Sequence, residues 1–315
     1  MTAATTVPAA NGSFVHEALF YRDRDDYLGG TLPFIRGGTG ADEPVLVAVP
    51  APNLRLIGDA LGTDGDGVRF IDMAEAGRNP GRIIPGVLHA FLAANPGGRV
   101  RIIGEPIWAG RSDAAYPACV QHEALINVAF AECAVSILCP YDVAHLDPDV
   151  VADAATTHPV LVDRDARRSS LDYAEPATVV EAFNRPLPEP GATPRVLVFG
   201  ADGLPAVRVL VCEAAAEHGL SGDRALDLQI AVNEVATNAV THGRVPATLR
   251  VWPDEATLVC EVTDFGQMTN QMAGRLTPAT DSEGGRGLLL VNHLCDLVRI
   301  HTDRRATTLR MHMSR

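Results

Sequence analysis

The sequence predicts two α/β domains in tandem, a parallel-sheet domain followed by a mixed α/β sandwich. Three observations carry this. The chain has 315 residues, 47% hydrophobic and 21% charged, enough for two ordinary buried cores. Its N-terminal part alternates short continuous apolar runs with helical patterns, whereas its C-terminal part closes on alternating strands. Between them, residues 185–194 read RPLPEPGATP, with four prolines that forbid a regular hydrogen-bond ladder and mark a stiff linker.

In the N-terminal part, residues 45–49 (VLVAV) form a buried strand closed by Pro50 and Pro52. Further strands are expected at 68–73, 100–104, 135–139 and 160–162, and helices at 54–61, 81–94, 116–131 and 148–155. Continuous apolar strands separated by helices indicate a parallel sheet covered on both faces, with ligands beyond the carboxyl ends of the strands. Those ends carry residues 50–53, 105–108 and 140–142, none of them a phosphate-binding glycine loop. The GGTG at 37–40 lacks a following Lys-Ser/Thr and is read as a turn.

In the C-terminal part, a strand is expected at 196–199, a helix at 204–218 ended by Gly219, and a longer helix at 223–242 stopped by Gly243. Strands at 249–252 and 257–263 pair across a Pro253-Asp254 turn. After a loop at 267–284 come a helix at 288–295 and strands at 298–302 and 307–313.

Composition excludes several classes. A net charge of -13 repels a nucleic-acid backbone, so no direct nucleic-acid partner is expected. All 26 basic residues are arginine, which rules out any mechanism needing a lysine. No run approaches the ~18 to 20 apolar residues of a membrane span. Residues 1–12 read as a frayed tail rather than a secretory signal, so a cytoplasmic protein is expected. The six cysteines show no C-x-x-C spacing and read as free thiols, and Cys119 with His122 lacks a second pair to complete a metal site.

Three segments carry chemistry. Glu234, Asn238 and His242 recur every four residues on one face of the second long helix, with Leu228, Ala231, Val232, Val235 and Ala239 on the other. A carboxamide oxygen suits Mg²⁺ and a carboxylate can take a proton from a hydroxyl; the alternative is a solvated polar stripe. Asp264-Phe265-Gly266 follows a strand directly, where the carboxylate can accept from an adenine amine and the glycine admits the base; the alternative is an Asp-x-Gly turn. Gly284-Gly285-Arg286-Gly287-Leu288 opens a helix, where bare backbone N–H groups and the dipole favour phosphate; the alternative is a flexible entry loop.

The order of NEVATNAVTHG (233–243), VTDFG (262–266) and GGRGLLLVNHLCD (284–296) resembles the N, G1 and G2 boxes of the gyrase/chaperone/histidine-kinase ATPases. The compact form is most similar to the anti-sigma-factor serine kinases. The resemblance implies a Bergerat-type ATPase fold over 196–315 and magnesium ATP as cofactor. Asn238 would hold Mg²⁺ and Glu234 would act as base. Asp264 and Gly266 would seat adenine, with His242, Gly243, Gly285, Arg286, Gly287 and Leu288 completing the nucleotide site and Thr308 near the base. It also implies a serine or threonine acceptor on an anti-anti-sigma partner, or a sigma factor held on the same surface. Met268 departs from the second glycine of the family's D-x-G-x-G box, which puts turnover rather than binding in question.

His16 to Tyr21 (HEALFY), the 45–49 strand and CVQHEALINVAF (119–130) are similar to MEDS-type sensory domains, which are related to RecA-like folds without a working P-loop. This implies a small-ligand sensory domain over 13–175, with His16 a candidate ligand contact and 176–195 the linker. A lone histidine there also reads as a capping or packing residue, and Glu105 and Glu123 as solvated carboxylates. Three functions follow: a sensor-coupled serine/threonine protein kinase and anti-sigma factor, a non-catalytic nucleotide-dependent interaction switch, or a sensor histidine kinase. The last needs a long dimerising helix just upstream, which the prolines of the linker disfavour. A homodimer is left open.

Overall fold

The structure, a computed structural model, describes residues 14–276 and 285–315. The expected tail at 1–12 and the loop residues 277–284, including Gly284, lie outside the described residues. The chain divides into two compact units: the first runs to Arg78 and resumes over Gly86–Phe183, and the second takes Asn79–Pro85 and Asn184–Arg315.

In the first unit β1 (Val15–Tyr21), α1 (Arg24–Thr39), β2 (Val45–Val49), α2 (Ala51–Leu61), β3 (Arg69–Asp72) and α3 (Met73–Ala76) come first. After the excursion into the second unit follow α4 (Ala90–Ala94), β4 (Val100–Gly104), α5 (Tyr116–Ala129), β5 (Val135–Asp142), α6 (Pro148–Thr157), β6 (Val160–Val162), β7 (Arg167–Ser169) and α7 (Pro176–Ala182). Seven strands align in the order β3-β2-β4-β5-β1-β6-β7, parallel except for the β6–β7 pair. The expected parallel α/β sheet is present, and β2 is buried at every position.

Several elements escaped the sequence reading, β1 and α1 among them. Strand β1 (VHEALFY) lies between β5 and β6, with His16 and Glu17 buried against partners, Glu17 on the Arg167 guanidinium at 2.5 Å. Helix α1 is capped by Asp23, whose carboxylate accepts from Asp26 N at 2.9 Å. Three of its glycines, Gly30, Gly37 and Gly38, are packing sites: a β-carbon on Gly30 would stand 2.5 Å from Leu19 Cδ2. The GGTG read as a turn is the end of α1, with Gly40 as its C-cap. The single helix expected at 81–94 is instead a 3₁₀ turn (Pro80–Arg82), a π turn (Ile84–His89) and α4; Pro85 lacks the N–H that a regular ladder requires. The linker expected at 176–195 begins with α7, which packs on α5, where Gln121 Nε2 donates to Val180 O at 3.1 Å.

The second unit contains β8 (Arg195–Phe199), α8 (Leu204–His218), α9 (Gly222–Thr241), β9 (Ala247–Asp254), β10 (Thr257–Asp264), α10 (Arg286–Leu294), β11 (Leu297–Thr302) and β12 (Thr307–Ser314). Its five strands are antiparallel in the order β11-β12-β10-β9-β8. The helices bury one sheet face: Leu228, Ala231, Val232, Val235 and Ala239 of α9 share a core with Val251, Cys260 and Met311. Gly219 ends α8 at φ 79°, as its position after the last apolar repeat predicts. The β9–β10 strands run through Pro253 and Asp254, so the turn falls instead at Glu255, which takes φ 51°.

On the opposite sheet face β10 places buried Glu261 between Arg250 of β9 and Arg310 of β12, its partners in register. Arg250 Nε donates to Glu261 Oε1 at 2.7 Å and Arg310 Nε to Oε2 at 2.8 Å. Arg310 also donates to Pro188 O at 2.7 Å and Arg250 to Glu189 at 3.0 Å, so the proline-rich segment is held along the sheet. Removing the carboxylate leaves two facing guanidiniums, one of them buried. Glu261→Ala is therefore expected to destabilise the second unit by about 3 kcal/mol, measured as a lowered urea midpoint in that unit's transition.

Candidate functional site

Helix α9 brings the polar stripe into position. Buried Leu228, Ala231, Val232 and Val235 fix its rotation, leaving Glu234 and Asn238 half-buried on the other side. Past its C-cap, His242, the chain must turn under the end of β10, and only glycine fits there. A β-carbon on Gly243 would stand 2.3 Å from Asp264 Oδ1 and 2.4 Å from Ala239 O, and one on Gly266 would stand 2.8 Å from Gly243 Cα. Asp264 closes β10; its buried carboxylate accepts from Gly266 N at 2.6 Å. Gly285 caps α10 at φ 89°, and Gly287 sits in its first turn. A β-carbon on Gly287 would come within 2.8 Å of Glu234 Oε2 and 3.4 Å of Asn238 Nδ2. The three sequence segments thus converge.

A cavity of about 230 Å³ lies at that convergence, lined by Asn238, His242, Gly243, Asp264, Gly266, Gly285, Gly287 and Leu288 of the expected set. Glu234 is not part of the lining but abuts Gly287. Arg286 is exposed at the helix start and does not line the cavity. Thr307 rather than Thr308 faces the cavity. In the β10–β12 register Thr307 opposes Asp264, and its hydroxyl donates to Gly266 O at 3.0 Å. Thr308 points to the other face and meets the Thr263 hydroxyl at 3.0 Å. Strand alternation makes that distinction once the β10–β12 register is known. Val235, Ala239, Gln267, Met268 and Leu309 complete the lining; Met268 stands out in the sequence as the departure from the D-x-G-x-G box, whereas the others carry no motif.

The segment that follows β10 is tied to α10. Asn292 Nδ2 donates to Gly274 O at 2.9 Å, and Gly274, at φ 72°, packs where a β-carbon would meet Leu288 Cβ at 2.9 Å. Asn79 binds the same Asn292, donating to its backbone oxygen at 2.9 Å and to Oδ1 at 3.1 Å, and accepts from Val298 N at 3.3 Å.

In the first unit, the two carboxylates read as solvated are both buried. Glu105, at the carboxyl end of β4, receives both oxygens' contacts from Asn53 Nδ2 at 3.1 and 2.8 Å, with the Tyr21 and Tyr27 hydroxyls at 3.5 and 3.4 Å. Burial pushes its carboxyl up to about 8, against the lowering effect of these donors. His16 is also buried, with its ring nitrogens against Asn127 and Glu123 rather than at the carboxyl end of the sheet.

Residues 15–159 match the family of the MEDS domain (methanogen/methylotroph, DcmR sensory domain), and residues 201–313 match the histidine kinase-like ATPase domain. Fold and site thus define a sensory domain joined to a compact ATPase domain. Over 109 residues the chain is 33% identical to the serine-protein kinase RsbW of Bacillus subtilis, covering 30% of this chain and 68% of that protein. Over 112 residues it is 32% identical to the RsbW of Bacillus velezensis, covering 31% and 69%. The chain belongs to the RsbW family of anti-sigma-factor serine kinases. The RsbU and RsbW domains of a Mycobacterium tuberculosis protein align over 39% of this chain and 32% of that one, at 19% identity and a TM-score of 0.30. Among the described residues, no helix is long and apolar enough to cross a membrane.

Two outcomes are expected. Gly243→Ala drives a methyl into the Ala239 carbonyl and should cost about 1 to 3 kcal/mol while closing the cavity, read by urea unfolding and nucleotide titration together. For Glu105, folding raises the pKa, so its contribution to stability is full at low pH and is lost as pH rises from the ordinary carboxyl range through about 8. The first unit's stability should therefore fall as pH rises toward about 8 and level off above it, and Glu105→Gln should flatten that slope.

Proposed function

We propose that the second unit binds magnesium ATP and transfers its terminal phosphoryl group to a serine or threonine hydroxyl of an anti-anti-sigma partner, the same surface holding a sigma factor. The observation that carries this is the meeting of Glu234 and Asn238 with Gly287 on one side of a cavity whose other side is Asp264, Gly266 and Thr307. The donor set fits such a ligand. A glycine-lined helix start offers free backbone N–H groups to phosphates, and a buried strand-end carboxylate offers an acceptor to an adenine amine.

Bound nucleotide would supply the phosphoryl group and, through its magnesium, charge neutralisation. Asn238 would hold the ion through its amide oxygen. Glu234 would take the proton of the incoming hydroxyl, and Gly287 keeps that carboxylate unobstructed. Asp264, fixed by Gly266 N, would select the base. Small-ligand sensing belongs in the first unit, with the effect on nucleotide or partner binding carried by the chain itself. The segment Asn79–Pro85, flanked on both sides by the first unit, is packed into the second through Asn79 and Asn292.

Met268 favours a second reading, in which nucleotide only shapes the partner surface: it lines the cavity where the family's second glycine stands. The histidine-kinase reading loses ground, because residues 185–194 form no helix and His158 is buried.

The discriminating experiment is Glu234→Ala in the full chain, with labelled ATP and an anti-anti-sigma protein. Phosphotransfer should fall by about 10²-fold or more while nucleotide affinity stays within a few-fold. Unchanged transfer removes Glu234 as base, and wild-type protein that binds ATP and partner without transfer establishes the switch.

A further inference from the structure

The first unit holds a second constellation that the nucleotide chemistry does not use. His16 of β1, Glu123 of α5, Cys139 of β5 and His158, the C-cap of α6, are all buried, and one ligand atom of each lies within 4.8 Å of all the others. His16 Nε2 is 3.2 Å and His158 Nε2 3.4 Å from Glu123 Oε2; Cys139 Sγ is 3.5 Å from both His16 Nε2 and Glu123 Oε2. Tetrahedral zinc, with bonds of about 2.0 to 2.3 Å to nitrogen, oxygen and sulfur, sets its ligand atoms roughly 3.3 to 3.7 Å apart.

The hydrogen bonds around the two imidazoles fix which nitrogen faces inward. His158 Nδ1 is 2.9 Å from Ala154 O, so it carries the proton and donates. Asn127 Nδ2 donates to Thr157 O at 2.8 Å, which leaves Asn127 Oδ1 to accept from His16 Nδ1 at 3.1 Å. Both Nε2 atoms, the positions left for a metal once Nδ1 carries the ring proton, therefore face the Glu123 carboxylate. Outer-side donation of this kind is what orients metal-ligating histidines. Glu123 Oε1 and His158 Nε2 have no hydrogen-bond partner among the described residues.

We infer that His16, Glu123, Cys139 and His158 form a closed four-ligand site for a divalent cation of the zinc class. Two neutral imidazoles, one carboxylate, one thiolate and a divalent ion sum to zero charge, which is what a fully buried site requires. With four protein ligands and no open position, the ion is a structural clamp joining β1, α5, β5 and the α6–β6 turn. The four ligands lie apart from the Cys119–His122 pair, which lacks a second pair in sequence, and are residues that the fold alone brings together. His16 becomes a metal ligand rather than a sensory contact.

The test uses the full chain. Protein made in zinc-supplemented medium and purified without chelator is analysed by elemental mass spectrometry, and wild type refolded with Co²⁺ is examined by visible spectroscopy. One zinc per chain is expected, with tetrahedral cobalt bands and a thiolate-to-cobalt charge-transfer band that Cys139→Ser abolishes. Where refolding fails, zinc-edge X-ray absorption on the native protein should show one sulfur among nitrogen and oxygen neighbours. Native protein without stoichiometric metal, sulfur-free coordination, or a charge-transfer band that survives Cys139→Ser overturns the assignment. A histidine–carboxylate ion pair without metal would appear as the first of these.

Discussion

The candidate site depends on one close approach of backbone to backbone, at Gly243 and Gly266. The turn after α9 and the turn after β10 pass so near each other that a side chain on either would collide with main-chain or carboxylate atoms. That contact sets the helix end against the strand end. Everything else in the site follows by rigid geometry: helical periodicity carries Asn238 and Glu234 back along α9, and strand register carries Thr307 across from Asp264. Gly287 then has a fixed surface to meet. Glycine at these positions is a steric requirement, independent of any ligand, and it is also what leaves room for one.

Buried carboxylates show how environment divides one residue type into different roles. Glu261 is held between two guanidiniums and ties three strands and the proline-rich segment together. Glu105 has only neutral donors, Asn53 and two tyrosines, so its charged form is disfavoured. Glu123 is fully buried, which raises its carboxyl, but the two histidines facing it, His158 and His16, pull it far below the ordinary range. Glu234, half-buried beside Gly287, is the one poised at a cavity edge.

What the sequence made legible was local and periodic. The polar stripe of α9, the Asp-x-Gly at the end of β10 and the glycine-rich start of α10 each follow from spacing within one element, and the family boxes fixed their order. Helix α8 was readable to the residue because Gly219 ends an uninterrupted pattern. What was hidden was hidden by tertiary satisfaction. Strand β1 contains His16 and Glu17, which look solvent-facing until Glu123, Asn127 and Arg167 are placed around them. Helix α1 contains Pro33 and several glycines, which argue against a helix until Leu19 and Val45 are seen to occupy the space the glycines leave. Thr308 was preferred over Thr307 because the closing strand was located without its register. A quartet drawn from β1, α5, β5 and the end of α6 has no spacing signature at all.

The path of the chain between Arg78 and Gly86 has a physical consequence for the candidate site. Asn79 is fully buried in the second unit, with its amide nitrogen on Asn292 and its amide oxygen on Gly81 N and Val298 N. Asn292, on α10, also holds Gly274, in the segment between the Asp264 turn and the glycine-rich helix start. Gly81 leaves no room between them: a β-carbon there would stand 2.2 Å from Asn292 Oδ1. Displacing Asn79 would strand buried polar groups at a cost of about 1 to 3 kcal/mol each, so this excursion moves with α10 rather than independently of it. Because the same helix presents Gly285 and Gly287 to the cavity, the segment Asn79–Pro85 is packed against the helix that forms one wall of the candidate site.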